Sequence, residues 1–328
     1  MISNRTSKIF RGIGILIVIA SHYAEWIFVE PQYPTAREWI STWGPIGVSI
    51  FFLFSGYGLV KSAQGGENNY RNNGGITLMF LFKRFLAAYL PYLLIVGAIH
   101  GYFKDFAEAD LEFYKKFLTG YEYWYMQVMF IMYILFMLIW RFGRHDIVRV
   151  ILITAGIIAV TARLYNMGRA DFWQLSNIGF LIGIYAAVCE KYFFNIMNKV
   201  RFKLSVLLAG LIGFAICFKG MHNASLTDLT KVFGWEMALN IFWAIAVLGL
   251  AYFISLKKEI VFSALGENSL FIYLLHTILF WQLIFKFENS TYLMGVIFTA
   301  LITVCVSIII GNIYNLTTKH LLMRMENK

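Results

Sequence analysis

The sequence predicts an all-α fold: a polytopic integral membrane protein with about ten transmembrane helices, forming a single domain over residues 1–328. Three observations predict it. Of the 328 residues 59% are hydrophobic and 14% are charged, with a mean hydropathy of +0.66, whereas a soluble domain carries about a quarter charged residues. Apolar stretches long enough to cross a bilayer run over 9–29, 43–61, 77–100, 123–141, 147–163, 173–190, 203–219, 234–254, 269–286 and 292–315. With the N-terminus inside, the inner segments hold 19 of the 28 Lys and Arg and the outer segments 9, which predicts both termini in the cytoplasm.

Along the chain, each stretch brings its own signals. The first has Arg5, Lys8 and Arg11 on its inner flank, as a secretory signal would. A histidine at depth, then Glu25 and Trp26, and the lack of a small-x-small cleavage site mark it as a retained helix. In the second, Gly47, Ser49, Ser55, Gly56 and Gly58 permit close helix approach. The third opens on Phe82-Lys83-Arg84, with Pro91 one to two turns on. The outer loop 101–122 mixes Asp105, Glu108, Asp110 and Glu112 with Lys115 and Lys116, so it is expected to lie as an amphipathic segment on the outer surface. Trp39, Trp43, Tyr121, Tyr123, Trp124 and Trp173 fall near outer boundaries, as an interfacial aromatic belt should. The ninth stretch follows Gly266, Glu267 and Asn268, which supply its cap.

Composition also excludes. No polar stretch is long enough for a large soluble catalytic domain. The net charge of +10 is spread over loops rather than gathered on one face, which argues against nucleic acid as a partner. Cys189, Cys217 and Cys305 sit in or at the ends of apolar runs and read as packed thiols; no metal-ligand spacing is present.

Chemistry is expected first at Arg11 and His22. Eleven residues turn about 1100°, or about 20° past three full turns, so both share one helix face. His22 then lies roughly 16 Å deeper than Arg11. An imidazole at membrane depth is costly unless something uses it, and Glu25, at i+3, is placed to orient it. Ser269, Tyr273 and His276 fall at i, i+4 and i+7, a polar stripe on an otherwise apolar helix. This stripe reads equally well as an interhelical hydrogen-bond network. Lys83 and Arg84 read either as a topology signal or as a phosphate-binding cluster at the cytoplasmic face.

Together these features resemble the membrane acyltransferase 3 family, whose members O-acetylate surface carbohydrates and related acceptors. The resemblance runs from Arg11 to the tenth stretch. Arg-x10-His is matched at Arg11 and His22, Phe-Phe-x-x-Ser-Gly at Phe51 to Gly56, and Ser-x-x-x-Tyr-Leu-x-His at Ser269 to His276. Trp124-Tyr125-Met126 is similar to the family's aromatic motif, with Met126 in place of leucine. The family's Arg-x-x-Arg of the third helix is incomplete, since Ala87 follows Arg84 at the second position. The esterase-like outer domain that some members append is not expected here.

The resemblance implies acetyl-CoA, or a similar short acyl-CoA, as a cytoplasmic donor substrate, and no permanently bound cofactor. Arg11, Lys83, Arg84, Ser269 and Tyr273 would contact that donor, and His22, Glu25 and His276 would form the catalytic set. His22 would act as general base or as transient acyl acceptor. Ser269, Tyr273 and His276 would shape the donor passage or stabilise an oxyanion. The acceptor would be a hydroxyl of a cell-surface or lipid-linked carbohydrate, and the setting a cell inner (plasma) membrane. The main rival is a transporter or flippase of a lipid-linked sugar using the same polar residues as a pathway. A polysaccharide polymerase is disfavoured because loop 101–122 holds no arginine, and a structural subunit would have no use for two histidines at depth.

Overall fold

The structure, a computed structural model, describes residues 2–26, 40, 42–70, 82–103, 105–143, 145–170, 172–223, 229–254, 259–284 and 292–326. Trp39 and, of the orienting charges, Arg37, Arg71, Lys104, Arg144, Lys257, Lys258, Lys286 and Lys328 lie outside the described residues. The chain forms helices α1 (Asn4–Trp26), α2 (Gly44–Tyr70), α3 (Leu90–Tyr102), α4 (Leu111–Thr119), α5 (Trp124–Phe142), α6 (Asp146–Asn166), α7 (Phe172–Leu175), α8 (Ile178–Met197), α9 (Val200–Asn223), α10 (Leu229–Phe253), α11 (Val261–Glu267), α12 (Ser269–Ile284) and α13 (Tyr292–Glu326). Among the described residues nine helices are long and apolar enough to cross a membrane, or ten if α11 and α12, bent by 78° at their junction, count as one span. The protein is therefore an all-α, multi-pass membrane protein. Helices satisfy every backbone polar group internally, which a bilayer core demands.

The third span has a local widening. A π-helical turn over Phe85–Tyr89 precedes α3, and Leu90 N–H returns five residues to the Phe85 carbonyl. Pro91 has no N–H to return to the carbonyl of Ala87, so the wider turn absorbs the missing rung. Loop 101–122 also differs from expectation. Helix α4 is capped by Asp110, whose side chain accepts from Phe113 N–H, but its end does not lie flat on the surface. Tyr89 and Tyr92 donate their hydroxyls to the carbonyls of Leu118 and Phe117 at 2.9 and 2.5 Å. Tyr89 lies 13 residues before Tyr102, or about 20 Å along the helix, so the end of α4 folds back along the third span.

Packing centres on α1, which touches α2, α10, α11 and α12, while α2 packs along α8. Helix α1 approaches α11 at Gly12 and Gly266, where an added Cβ would run into the Phe262 and Lys8 carbonyls respectively. Only glycine allows that approach, and it fixes where α12 begins. Asn268, 1% exposed at the bend, donates from Nδ2 to the Ala264 carbonyl at 3.0 Å and to Asn312 Oδ1 at 3.1 Å. Ser269 Oγ donates to the Gly266 carbonyl at 3.0 Å. These side-chain bonds tie the bend to α11 and to α13.

A buried ion pair ties α2 to α8. Lys61 Nζ lies 2.7 Å from Glu190 Oε2, and the Glu190 side chain is 2% exposed. Tyr57 donates its hydroxyl to the same carboxylate at 3.0 and 2.9 Å and accepts from Ile2 N–H at 3.1 Å, which anchors the N-terminus. Removing one partner of such a pair strands a buried charge. Lys61→Met is therefore expected to destabilise the protein by roughly 3 kcal/mol, read as an earlier midpoint in thermal unfolding in detergent; Lys61→Met with Glu190→Gln recovers most of the loss.

Candidate functional site

His22 and His276, 254 positions apart in sequence, meet between α1 and α12. His22 Nδ1 and His276 Nε2 are 2.7 Å apart, and the rings stack with centroids 4.9 Å apart at 10°. His276 Nδ1 lies 2.6 Å from the Tyr273 carbonyl oxygen. A carbonyl only accepts, so Nδ1 of His276 carries the hydrogen and its Nε2 carries a lone pair. That lone pair accepts from Nδ1–H of His22, which leaves the lone pair of His22 on Nε2. The order Tyr273 carbonyl, His276, His22 thus sets one tautomer throughout. His276 is 2% exposed, whereas His22 is half-buried.

Aromatic rings hold the pair. Trp26 stacks on His22 at 5.2 Å and on His276 at 5.8 Å, and itself rests on Phe280 and Trp281. Tyr23, one residue after His22, bonds through its hydroxyl to Thr303 Oγ1 at 3.2 Å, pinning α1 against α13. Tyr123, just ahead of α5, donates to the Leu274 carbonyl at 3.4 Å.

Nearer the start of α1, Arg11 lines a cavity of about 90 Å³ together with Phe51, Ser55, Tyr125, Tyr133, Ser269 and Tyr273. The half-buried guanidinium reaches the Ser7 carbonyl through Nε at 3.4 Å. The residues lining this cavity offer hydroxyls and one positive charge and no carboxylate, a set suited to an anion. Tyr273 joins the two regions: it lines the Arg11 cavity and its ring lies 5.6 Å from that of His276.

A second, larger groove of about 520 Å³ is lined by Arg84, Phe85, Tyr89, Gln127, Phe130 and Met137, among others, and shares Ala88 and Tyr133 with the Arg11 cavity. Arg84 Nη2 donates to Ser62 Oγ at 3.2 Å.

The sequence-predicted residues therefore divide. His22 and His276 come together, and Arg11, Ser269 and Tyr273 share a cavity beside them, with Arg84 in the adjoining groove. Lys83 lines neither space. Glu25 is exposed and lines a separate pocket with Trp43 and Glu236, and it is His276 that takes Nδ1 of His22. Sequence reasoning read Ser55 as a helix-packing residue and Trp26 as a mark of a retained helix, and it did not single out Tyr133. The signal for Tyr133 was available, since it lies eight residues after Tyr125, on the same face of α5.

Compared with known proteins, the chain matches the family model Acyl_transf_3, an acyltransferase domain, over residues 7–312. No curated protein and no solved structure matches it.

Proposed function

The chain belongs to the Acyl_transf_3 acyltransferase family, and from that premise we propose that it moves an acetyl or other short acyl group from cytoplasmic acyl-CoA to a carbohydrate hydroxyl. The observation that carries the reading is the hydrogen-bond order at His22 and His276, which leaves a lone pair on His22 Nε2. A general base needs that lone pair and needs it held in one tautomer. His22 takes the proton of the acceptor hydroxyl as its oxygen attacks the thioester carbonyl. The tetrahedral intermediate collapses by breaking the carbon–sulfur bond, and His22 returns the proton to the departing CoA thiolate. His276 is a positioning residue: it holds the His22 ring through Nδ1 and stabilises the imidazolium that forms there.

Arg11 supports CoA as the donor. It lies on the same face of α1 as His22, roughly 16 Å away along the helix, a separation matched to an extended pantetheine arm with phosphates at one end and the thioester at the other. Arg84, in the adjoining groove, adds a second positive charge on the phosphate side. With both termini cytoplasmic, that end faces the cytoplasm of an inner membrane, where acyl-CoA is made.

Two donors separate phosphate binding from chemistry. Arg11→Gln is expected to raise KM for acetyl-CoA about tenfold, the equivalent of one charge-assisted contact, and to raise KM for S-acetylpantetheine, which has no phosphate, by less than about twofold. Equal increases for both donors would remove Arg11 from the phosphate site.

A further inference from the structure

Past Glu190, α8 leaves the bundle. Glu190 is buried against Lys61, and Tyr57 links it to the Ile2 N–H, so this end of α8 lies on the face where the chain begins. The next six residues, Lys191 to Ile196, are all exposed. A helix completes a turn in 3.6 residues, so six exposed residues in a row mark a segment that projects rather than one that shows a single face. Its base is held to α6, where Lys191 Nζ and the Tyr192 hydroxyl both meet Asp146 Oδ2 at 2.8 Å. Beyond that point the backbone leaves helical geometry at Phe193 (φ −119°, ψ 27°), and the chain turns through Asn198 and Lys199 into α9.

This corner is at once apolar and basic. Tyr192, Phe193, Phe194 and Ile196 are 45–57% exposed, and Val200, across the turn, is exposed as well. Lys199, Arg201 and Lys203 fall in the turn and the first residues of α9, and the sequence has no acidic residue between Glu190 and Asp228. The two carboxylates at its base are already met, Glu190 by Lys61 and Asp146 by Arg149 and Lys191. A projecting run of rings is costly in water. Rings beside cations are instead the pattern of a segment at a membrane interface, with the rings among the upper acyl chains and the charges at the lipid phosphates.

We infer that the α8–α9 corner is a docking surface for anionic membrane lipid, with Tyr192, Phe193, Phe194 and Ile196 in the interfacial layer and Lys199, Arg201 and Lys203 on the headgroup phosphates. Charge makes the surface selective. A zwitterionic headgroup carries its own ammonium, whereas an anionic one leaves a net negative charge for the three cations to meet. Each Lys or Arg near an anionic surface strengthens the attraction about fivefold. Lipid held here braces the helix end one turn from Glu190, whose link through Tyr57 anchors the start of α1, the helix that carries Arg11 and His22. The surface lies outside the acyl-transfer machinery and does not depend on that reading.

The test uses the full chain with Phe194→p-benzoylphenylalanine, a photoreactive side chain, in vesicles of equimolar phosphatidylcholine and phosphatidylglycerol. Irradiation joins the probe to whatever lies against it, and mass spectrometry identifies the adduct. At about 0.01 M salt, where the Debye length is about 30 Å, phosphatidylglycerol adducts are expected to exceed phosphatidylcholine adducts at least about tenfold. The excess should fall toward equality at about 1 M salt, where that length is about 3 Å. Lys199→Gln, Arg201→Gln and Lys203→Gln together should remove the excess while lipid adducts persist. The same probe at Ile212, exposed further along α9, should show no preference, which separates the corner from the lipid mixture at large. Equal adducts of the two lipids at low salt, the same excess at Ile212, or an excess unmoved by both salt and the triple variant would overturn the inference. Crosslinking to a second copy of the chain, or to no lipid at all, would overturn it too.

Discussion

His22→Ala lowers acyl transfer from acyl-CoA at least about 100-fold, the lower end of what a positioned general base contributes, while the protein still inserts and accumulates in membranes. The expectation of normal accumulation follows from the setting of the residue. His22 is half-buried, and its ring is replaced without stranding a charge or disturbing the Gly12–Gly266 approach that seats α1. What the substitution removes is the one lone pair that the hydrogen-bond order leaves unused, on Nε2. The measurement is initial rate against acceptor concentration, normalised to the amount of membrane-inserted protein. Loss of rate in step with loss of inserted protein would mean that His22 is a packing residue only.

The second large effect is at His276. His276→Ala is expected to lower kcat by on the order of 10- to 100-fold with a smaller change in KM, because the general base remains but its tautomer and orientation are no longer set. His276→Gln should recover part of that loss, since a side-chain amide oxygen can still accept from His22 Nδ1–H. The pair acts as a unit, so the double variant with His22→Ala should be hardly slower than His22→Ala alone. A packing role for His276 would give additive losses and no rescue by Gln.

Much of the fold was legible because a membrane leaves few choices. Backbone polar groups in hydrocarbon must pair within their own segment, so apolar runs of sufficient length read as helices, and helical geometry places Arg11 and His22 on one face. The Ser269, Tyr273 and His276 stripe was legible in the same way, as a periodicity within one helix.

What the sequence did not show was which helices meet. The contact between His22 and His276 depends on two features of other elements. One is the 78° bend between α11 and α12; the other is the glycine contact between α1 and α11. Glu25 illustrates the same limit. At i+3 it is a neighbour of His22 when α1 is considered alone, but α2, α9 and α10 build a pocket around it while α12 brings a histidine to Nδ1. Helix α4 read as a surface segment because its own residues are amphipathic, and the tyrosines that draw its end along the third span belong to another element.

The most direct test of the central claim follows labelled acetyl from acetyl-CoA through membranes that hold wild-type, His22→Ala or His276→Gln protein to cell-surface glycan. The account predicts label on glycan with the wild type, none above background with His22→Ala, and an intermediate amount with His276→Gln. Equal labelling with wild type and His22→Ala would contradict it, because the lone pair that the His276 contact leaves on His22 would then take no part in the transfer.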